Sequence, residues 1–161
     1  MKKTLLQLLG VYVFCSTSFS QVGQLDASFG NAGVSAAGVT GYWDEAFALA
    51  LQQDGKIIAA GRYSDNNSFN AGLIARLNAD GSPDASFGTT GKVSFEIGNQ
   101  ENVMALAMQP DGKILAAGYY IGTDGHYAVL RFNPDGSLDN TFGSGGIDTF
   151  SFFEGMARSM V

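Results

Sequence analysis

Leu25-Asp26-Ala27-Ser28-Phe29-Gly30-Asn31-Ala32-Gly33 recurs as Pro83-Asp84-Ala85-Ser86-Phe87-Gly88-Thr89-Thr90-Gly91, and again as Leu138-Asp139-Asn140-Thr141-Phe142-Gly143-Ser144-Gly145-Gly146. A period of tens of residues marks a repeat architecture and outranks any local reading. Two further markers keep the same order. Gln52-Gln53-Asp54-Gly55-Lys56-Ile57-Ile58-Ala59-Ala60-Gly61 returns as Gln109-Pro110-Asp111-Gly112-Lys113-Ile114-Leu115-Ala116-Ala117-Gly118. Ala75-Arg76-Leu77-Asn78-Ala79-Asp80-Gly81-Ser82 returns as Leu130-Arg131-Phe132-Asn133-Pro134-Asp135-Gly136-Ser137.

Within one repeat the pattern has period two, the signature of strands. Phe47, Leu49 and Leu51 alternate with Ala46, Ala48 and Ala50, and Met104, Leu106 and Met108 take the bulky places in the next repeat. Both faces of this strand are apolar, which predicts that it is covered on both sides by stacked sheets. The Asp-Gly pairs at 54–55 and 111–112 predict tight hairpins into a second strand, because glycine adopts a positive φ at little cost. Outer strands are expected over Ala71–Leu77 and Tyr127–Phe132, and an inner strand ahead of each hairpin over Val34–Val39 and Lys92–Ile97.

The reading is therefore an all-β chain forming a partial β-propeller, with four-stranded antiparallel blades of about 57 residues. Its expected divisions are a signal peptide over 1–20, a first connector over 21–33, blade 1 with its connector over 34–91, blade 2 with its connector over 92–146, and the start of a truncated third blade over 147–161. Closure takes about 4 to 8 blades, so further blades in the same chain are expected.

The leader has three expected parts: Lys2 and Lys3, an apolar run from Leu5 to Phe14, and a small polar exit at Ser18-Phe19-Ser20. The run is interrupted by Gln7 and Gly10 and falls short of the roughly 20 apolar residues of a spanning helix, so export to the cell surface or medium is expected, with cleavage after Ser20 and no membrane span in the mature chain. Without the leader, 7 basic residues face 15 acidic ones, a formal charge of −8 that argues against nucleic acid as a partner. The one cysteine, Cys15, lies in the leader, so disulfides, a thiol nucleophile and cysteine-based metal sites are not available to the mature chain.

The three markers together resemble the delta-60 repeat, a β-propeller repeat of bacterial secreted and surface proteins. Carriers of the resemblance are Leu-Asp-x-Ser-Phe-Gly-x-x-Gly, the Gln-x-Asp-Gly-Lys-Ile hairpin and Arg131-Phe132-Asn133-Pro134-Asp135-Gly136-Ser137-Leu138-Asp139. The resemblance implies a propeller fold, export and no established enzymatic activity. Pro83 departs from the usual leucine, and the loop around Thr123–His126 is short.

Chemistry is sparse. His126, the single histidine, is expected in a solvated loop, and its counterpart region, Asp65–Asn70, has none. No catalytic residue and no cofactor are assigned. Asn78, Asp80, Ser82 and Asp84 recur as Asn133, Asp135, Ser137 and Asp139, oxygen ligands at alternate positions that make Asp80, Asp84, Asp135 and Asp139 calcium candidates. The glycine falls at the fourth place and no glutamate closes the loop at the twelfth, so the same residues also read as turn-formers bonding their own backbone. Arg76, Arg131, Lys56 and Lys113 recur in both repeats and read as structural, since an active site normally breaks the symmetry of its scaffold. The expected function is a non-catalytic binding, adhesion or scaffold module with a protein or glycan partner. The alternative is the N-terminal fragment of a propeller enzyme whose active site lies in other blades.

Overall fold

The computed structural model describes residues 23–38, 43–64, 70–122 and 125–151. The expected leader, with Cys15 and the cleavage expected after Ser20, and residues 152–161 lie outside the described residues. Among those described there are eight strands and no helix: β1 (Trp43–Leu51), β2 (Ile57–Ser64), β3 (Asn70–Leu77), β4 (Lys92–Phe95), β5 (Gln100–Met108), β6 (Ile114–Ile121), β7 (Gly125–Phe132) and β8 (Ile147–Ser151).

Each run of four pairs antiparallel with its chain neighbours, β1-β2-β3-β4 and then β5-β6-β7-β8. A single parallel pairing, Asn70 with Gln100, joins the two into one eight-stranded sheet. The β1–β2 and β5–β6 hairpins turn at the expected Asp-Gly pairs, with Gly55 at φ 84° and Gly112 at φ 82°. Asp54 and Asp111 accept the amides of Lys56 and Lys113, which closes each turn from its own side chain.

The phase of the fourth strand differs from the sequence expectation. Lys92–Phe95 does not open the second unit but returns across the connector to pair with β3. Ile147–Ser151 likewise pairs with β7 and completes the second set instead of starting a third. Residues 34–38 form no strand, only bridges from Val34 to Gly30 and Asn31, and Val39 lies outside the described residues.

Both units carry the same irregularity, a register shift between Ala46 and Ala48 and again between Val103 and Ala105. Opposite them stand Gly61 and Gly118, where an added Cβ would lie 1.8 and 1.9 Å from the carbonyl oxygens of Glu45 and Asn102. Only glycine fits that approach, and a bulge there adds local twist.

Strand alternation gives each unit two faces. In the first unit Ile58, Ala60 and Ile74 point one way, while Ile57, Ala59, Leu73, Ala75 and Leu77 point the other. The core forms where the first of these faces meets the opposite face of the second unit, which bears Ile114, Ala116, Leu130 and Phe132. Phe95 of β4 tilts onto Phe132 of β7 at 5.6 Å between ring centroids. The contact is head to tail: a given face of one unit meets the other face of the next.

Among the described residues, the first strand of a unit is covered on its bulky face in one unit only. Leu106 and Met108 of β5 pack against the core, whereas their counterparts Leu49 and Leu51 on β1 are 73% and 71% exposed.

Candidate assembly site

The most organised chemistry lies where the connector leaves the third strand. Asp84 Oδ1 accepts the amide of Ser86 at 3.1 Å and its hydroxyl at 2.7 Å. Its Oδ2 takes Lys56 Nζ at 2.8 Å, from the far side of the hairpin, and Arg76 Nε at 2.6 Å. Arg76 also donates to Ser86 Oγ and, across the boundary between units, to the Pro134 carbonyl at 2.5 Å. Its guanidinium lies 4.6 Å from the centroid of Phe87, a cation–π contact.

Phe87 is fully buried, between Arg76 of the first unit and Gly136 of the second. A Cβ on Gly136 would lie 3.0 Å from the Phe87 ring, and the Gly88 amide donates to the Asp135 carbonyl at 2.8 Å. The connector thus clamps one unit onto the next with a ring, a guanidinium and a backbone bond.

The second knot repeats the first. Asp139 accepts Thr141 through Oδ1, and Lys113 at 2.9 Å and Arg131 at 2.7 Å through Oδ2, with Arg131 4.7 Å from the Phe142 centroid. The two knots differ in exposure and reach: the Arg131 side chain is 20% exposed against 7% for Arg76, and among the described residues the bond across to the Pro134 carbonyl belongs to Arg76.

These contacts account for the calcium candidates. Asp84 and Asp139 each hold a lysine and an arginine, which repel a divalent cation from the oxygen it would need. Asp80 and Asp135 accept the amide and hydroxyl of Ser82 and Ser137, the turn chemistry read from the sequence. Among the described residues no three His, Cys, Asp or Glu side chains gather as a metal group. The Lys56 hydrogen bond, followed by the Ser86 bonds and the Arg76 charge, holds Asp84 well below the usual carboxylate range. For Asp139 the leading cause is the Thr141 hydroxyl, then Lys113. The serine bonds lower Asp26, Asp80 and Asp135 as well.

A third connector has the same backbone without the same partners. Residues 25–34 repeat the hydrogen bonds of 83–92: Gly30 to the Asp80 carbonyl, Asn31 to Val34 and Gly33 to Phe29 match Gly88 to Asp135, Thr89 to Lys92 and Gly91 to Phe87. Even the rare positive φ of a non-glycine residue recurs, 52° at Ala32 and 53° at Thr90. Asp26 Oδ1 accepts Ser28 as expected, but among the described residues Asp26 has no basic partner. Sequence reasoning missed this connection between the connector aspartate and the basic pair. The signal was available in the co-recurrence of Lys56, Arg76 and Asp84 with Lys113, Arg131 and Asp139.

The opposite end of the strands does not repeat. Arg62 bonds Glu45 at 2.6 Å within the first unit and Asn102 at 3.2 Å in the second, while the buried Glu101 accepts the amides of Ile97 at 2.9 Å and Gly98 at 2.5 Å. The register puts Tyr119 where the first unit has Arg62. His126, expected in a solvated loop, stands on β7, half-buried and stacked on Tyr120 at 5.1 Å. The cross-strand pair Tyr120–His126 supplies the cover that a loop position would lack.

Residues 52–87 and 109–142 match the family described as a domain of unknown function (DUF5122), beta-propeller. The two matched segments correspond to the hairpin-to-connector stretch of each unit, and with the all-β fold they support a propeller-type repeat. No curated protein matches the chain.

Proposed function

We propose that the chain supplies blades of an exported, non-catalytic β-propeller of the delta-60 type, with four-stranded blades over 43–95 and 100–151, and that it binds a protein or glycan partner. One observation carries this reading. The charged groups that recur, Lys56, Arg76 and Asp84 with Lys113, Arg131 and Asp139, engage one another in both units, so the repeated chemistry is consumed in holding the scaffold.

Recognition then falls to the end that breaks the symmetry, around Glu45, Arg62 and Asn102, where the units differ in side chain and charge. A scaffold that repeats at one end and varies at the other presents different groups on equivalent positions, as binding modules on rigid folds do. Export rests on the leader alone, and its check is a mature N-terminus at Gln21 in protein recovered from the medium or cell surface.

The chain is tested on arrays of glycans and, in parallel, for turnover of polysaccharides and esters. Saturable binding weakened by Arg62→Ala, without turnover, is the expected result. Turnover of any of these substrates overturns the non-catalytic reading.

A further inference from the structure

At the complete junction between the units, an open groove of about 810 Å³ runs between the connector and β4 of the first unit and the Asp135-Gly136-Ser137 turn of the second. Leu73 and Val93 form its apolar wall, and Thr89, Thr90, Ser94 and Ser137 bring hydroxyls to it. The Ser137 hydroxyl is held by Asp135, whereas among the described residues those of Thr89, Thr90 and Ser94 make no hydrogen bond. Lys92 spends its backbone N–H and C=O on Thr89, so the alternation of an antiparallel edge turns Val93 towards β3 and leaves the N–H and C=O of Ser94 pointing away from it.

Within the end of the molecule that repeats, these groups are the ones that vary. In place of Thr89, Thr90 and Ser94 the first connector has Asn31, Ala32 and Ala36, and the third has Ser144, Gly145 and Thr149. Holding the scaffold therefore does not account for them. Thr90 stands at φ 53°, a conformation that strains a β-branched residue and that Gly145 meets at φ 65° without that cost. The first connector shows which ligand group the groove accepts. There Phe29 lies against Gly81 as Phe87 lies against Gly136, and Ser35 Oγ donates to the Gly81 carbonyl at 2.5 Å. Val93 takes the place of Ser35 at the second junction, and among the described residues no donor reaches the Gly136 carbonyl. The group that fits this carbonyl is a hydroxyl brought by a ligand. Charge narrows the class further: the groove has one ammonium, Lys92, already given to the Gly38 carbonyl, and one carboxylate, Asp135, already given to Ser137. The balance favours a neutral ligand over an anion or a cation.

We propose that this groove is a binding site for a neutral saccharide. One ring hydroxyl donates to the Gly136 carbonyl, Thr90 and Ser94 bond its neighbours, and the C–H face of the ring lies on Leu73 and Val93. The lining contains no aromatic ring to stack on, so a single site binds weakly, with a dissociation constant on the order of millimolar. The site is separate from the end around Glu45, Arg62 and Asn102 and rests on the junction alone, so the two readings stand or fall independently.

Cellotriose, maltotriose, tri-N-acetylchitotriose and, as the anion, sulfate are each titrated into the isotope-labelled full chain, and the backbone amide resonances are followed by NMR. At least one trisaccharide should give saturable shifts centred on Thr90, Ser94 and Gly136. The Thr90→Gly, Ser94→Ala double variant should bind it about tenfold more weakly, as loss of two neutral hydrogen bonds implies. Gly145 and Ala36 already occupy the equivalent positions, and both residues are exposed, so this variant keeps its fold. Val93→Ser, which sets the hydroxyl of Ser35 against the Gly136 carbonyl, should weaken binding to a similar degree, whereas Arg62→Ala should leave it unchanged. Amides of the groove that respond to none of the trisaccharides, a double variant that binds as well as the native chain, or sulfate shifts as large as those of the sugars would each overturn the assignment.

Discussion

The two units carry nearly the same strands and turns, yet the same positions have opposite fates. Leu106 and Met108 pack into a core, whereas Leu49 and Leu51 stand in solvent. Phe95 is tilted against Phe132, whereas Phe150 at the equivalent place on β8 is 44% exposed. Burial in this molecule is therefore a property of the junction between units and not of the unit itself. A repeat of this kind cannot bury its apolar faces alone, so stability grows with the number of junctions formed.

Several substitutions sharpen that contrast, each read as the shift in a denaturant-unfolding midpoint. Phe87→Ala should be the most damaging, costing about 3–5 kcal/mol as a fully buried aromatic truncated within the one complete junction. Phe29→Ala, at the half-complete equivalent, should cost well under half as much; equal losses would break the junction account. Next comes Arg76→Ala, which strands the buried Asp84 beside Lys56 and should cost about 3 kcal/mol. Arg131→Ala, with a more exposed arginine, should cost about 1 kcal/mol.

A smaller contrast separates Leu106→Ala, expected at about 2 kcal/mol, from Leu49→Ala, expected within about 0.5 kcal/mol. The gentlest perturbation is acid. The connector carboxylates Asp84 and Asp139 are lowered in the folded chain, so the stability they give is present above the ordinary carboxylate pKa of about 4 and fades as the pH falls through their lowered values. Asp84→Asn should flatten that acid limb in a pH series of unfolding midpoints; an unchanged slope would show that the Asp84 knot does not contribute to it.

Much of this was legible in the residues, for identifiable reasons. Asp54-Gly55 and Asp111-Gly112 announce hairpins because a short turn needs the positive φ that glycine adopts at little cost, and both form. β1, β2 and β3 follow from short-range alternation. The partner of Lys92–Phe95 was not legible, because period two tells which side chains share a face and not which strand lies alongside. Val93 and Phe95 would satisfy the pattern on either neighbour, and the connector's backbone bonds, Arg76 to Gly91 and Asp84 to Arg76, settle the choice in favour of β3. The aspartates read two ways, as turn-formers or as a cation loop: Asp80 and Asp135 bond their own turns, and the cations that face Asp84 are the chain's own, one of them 28 residues away. The expected double cover of β1 is not met among the described residues, where Leu49 and Leu51 stand exposed.

The bulges opposite Gly61 and Gly118 bear on geometry at a larger scale. Each unit contains its own twist-adding irregularity at the same step, fixed by a glycine that admits no side chain. The angle between neighbours is then encoded inside each unit before any two of them meet. An array built from such units inherits its curvature from the single repeat, so duplication or loss of one unit alters how far around the array reaches and leaves the arc it follows unchanged.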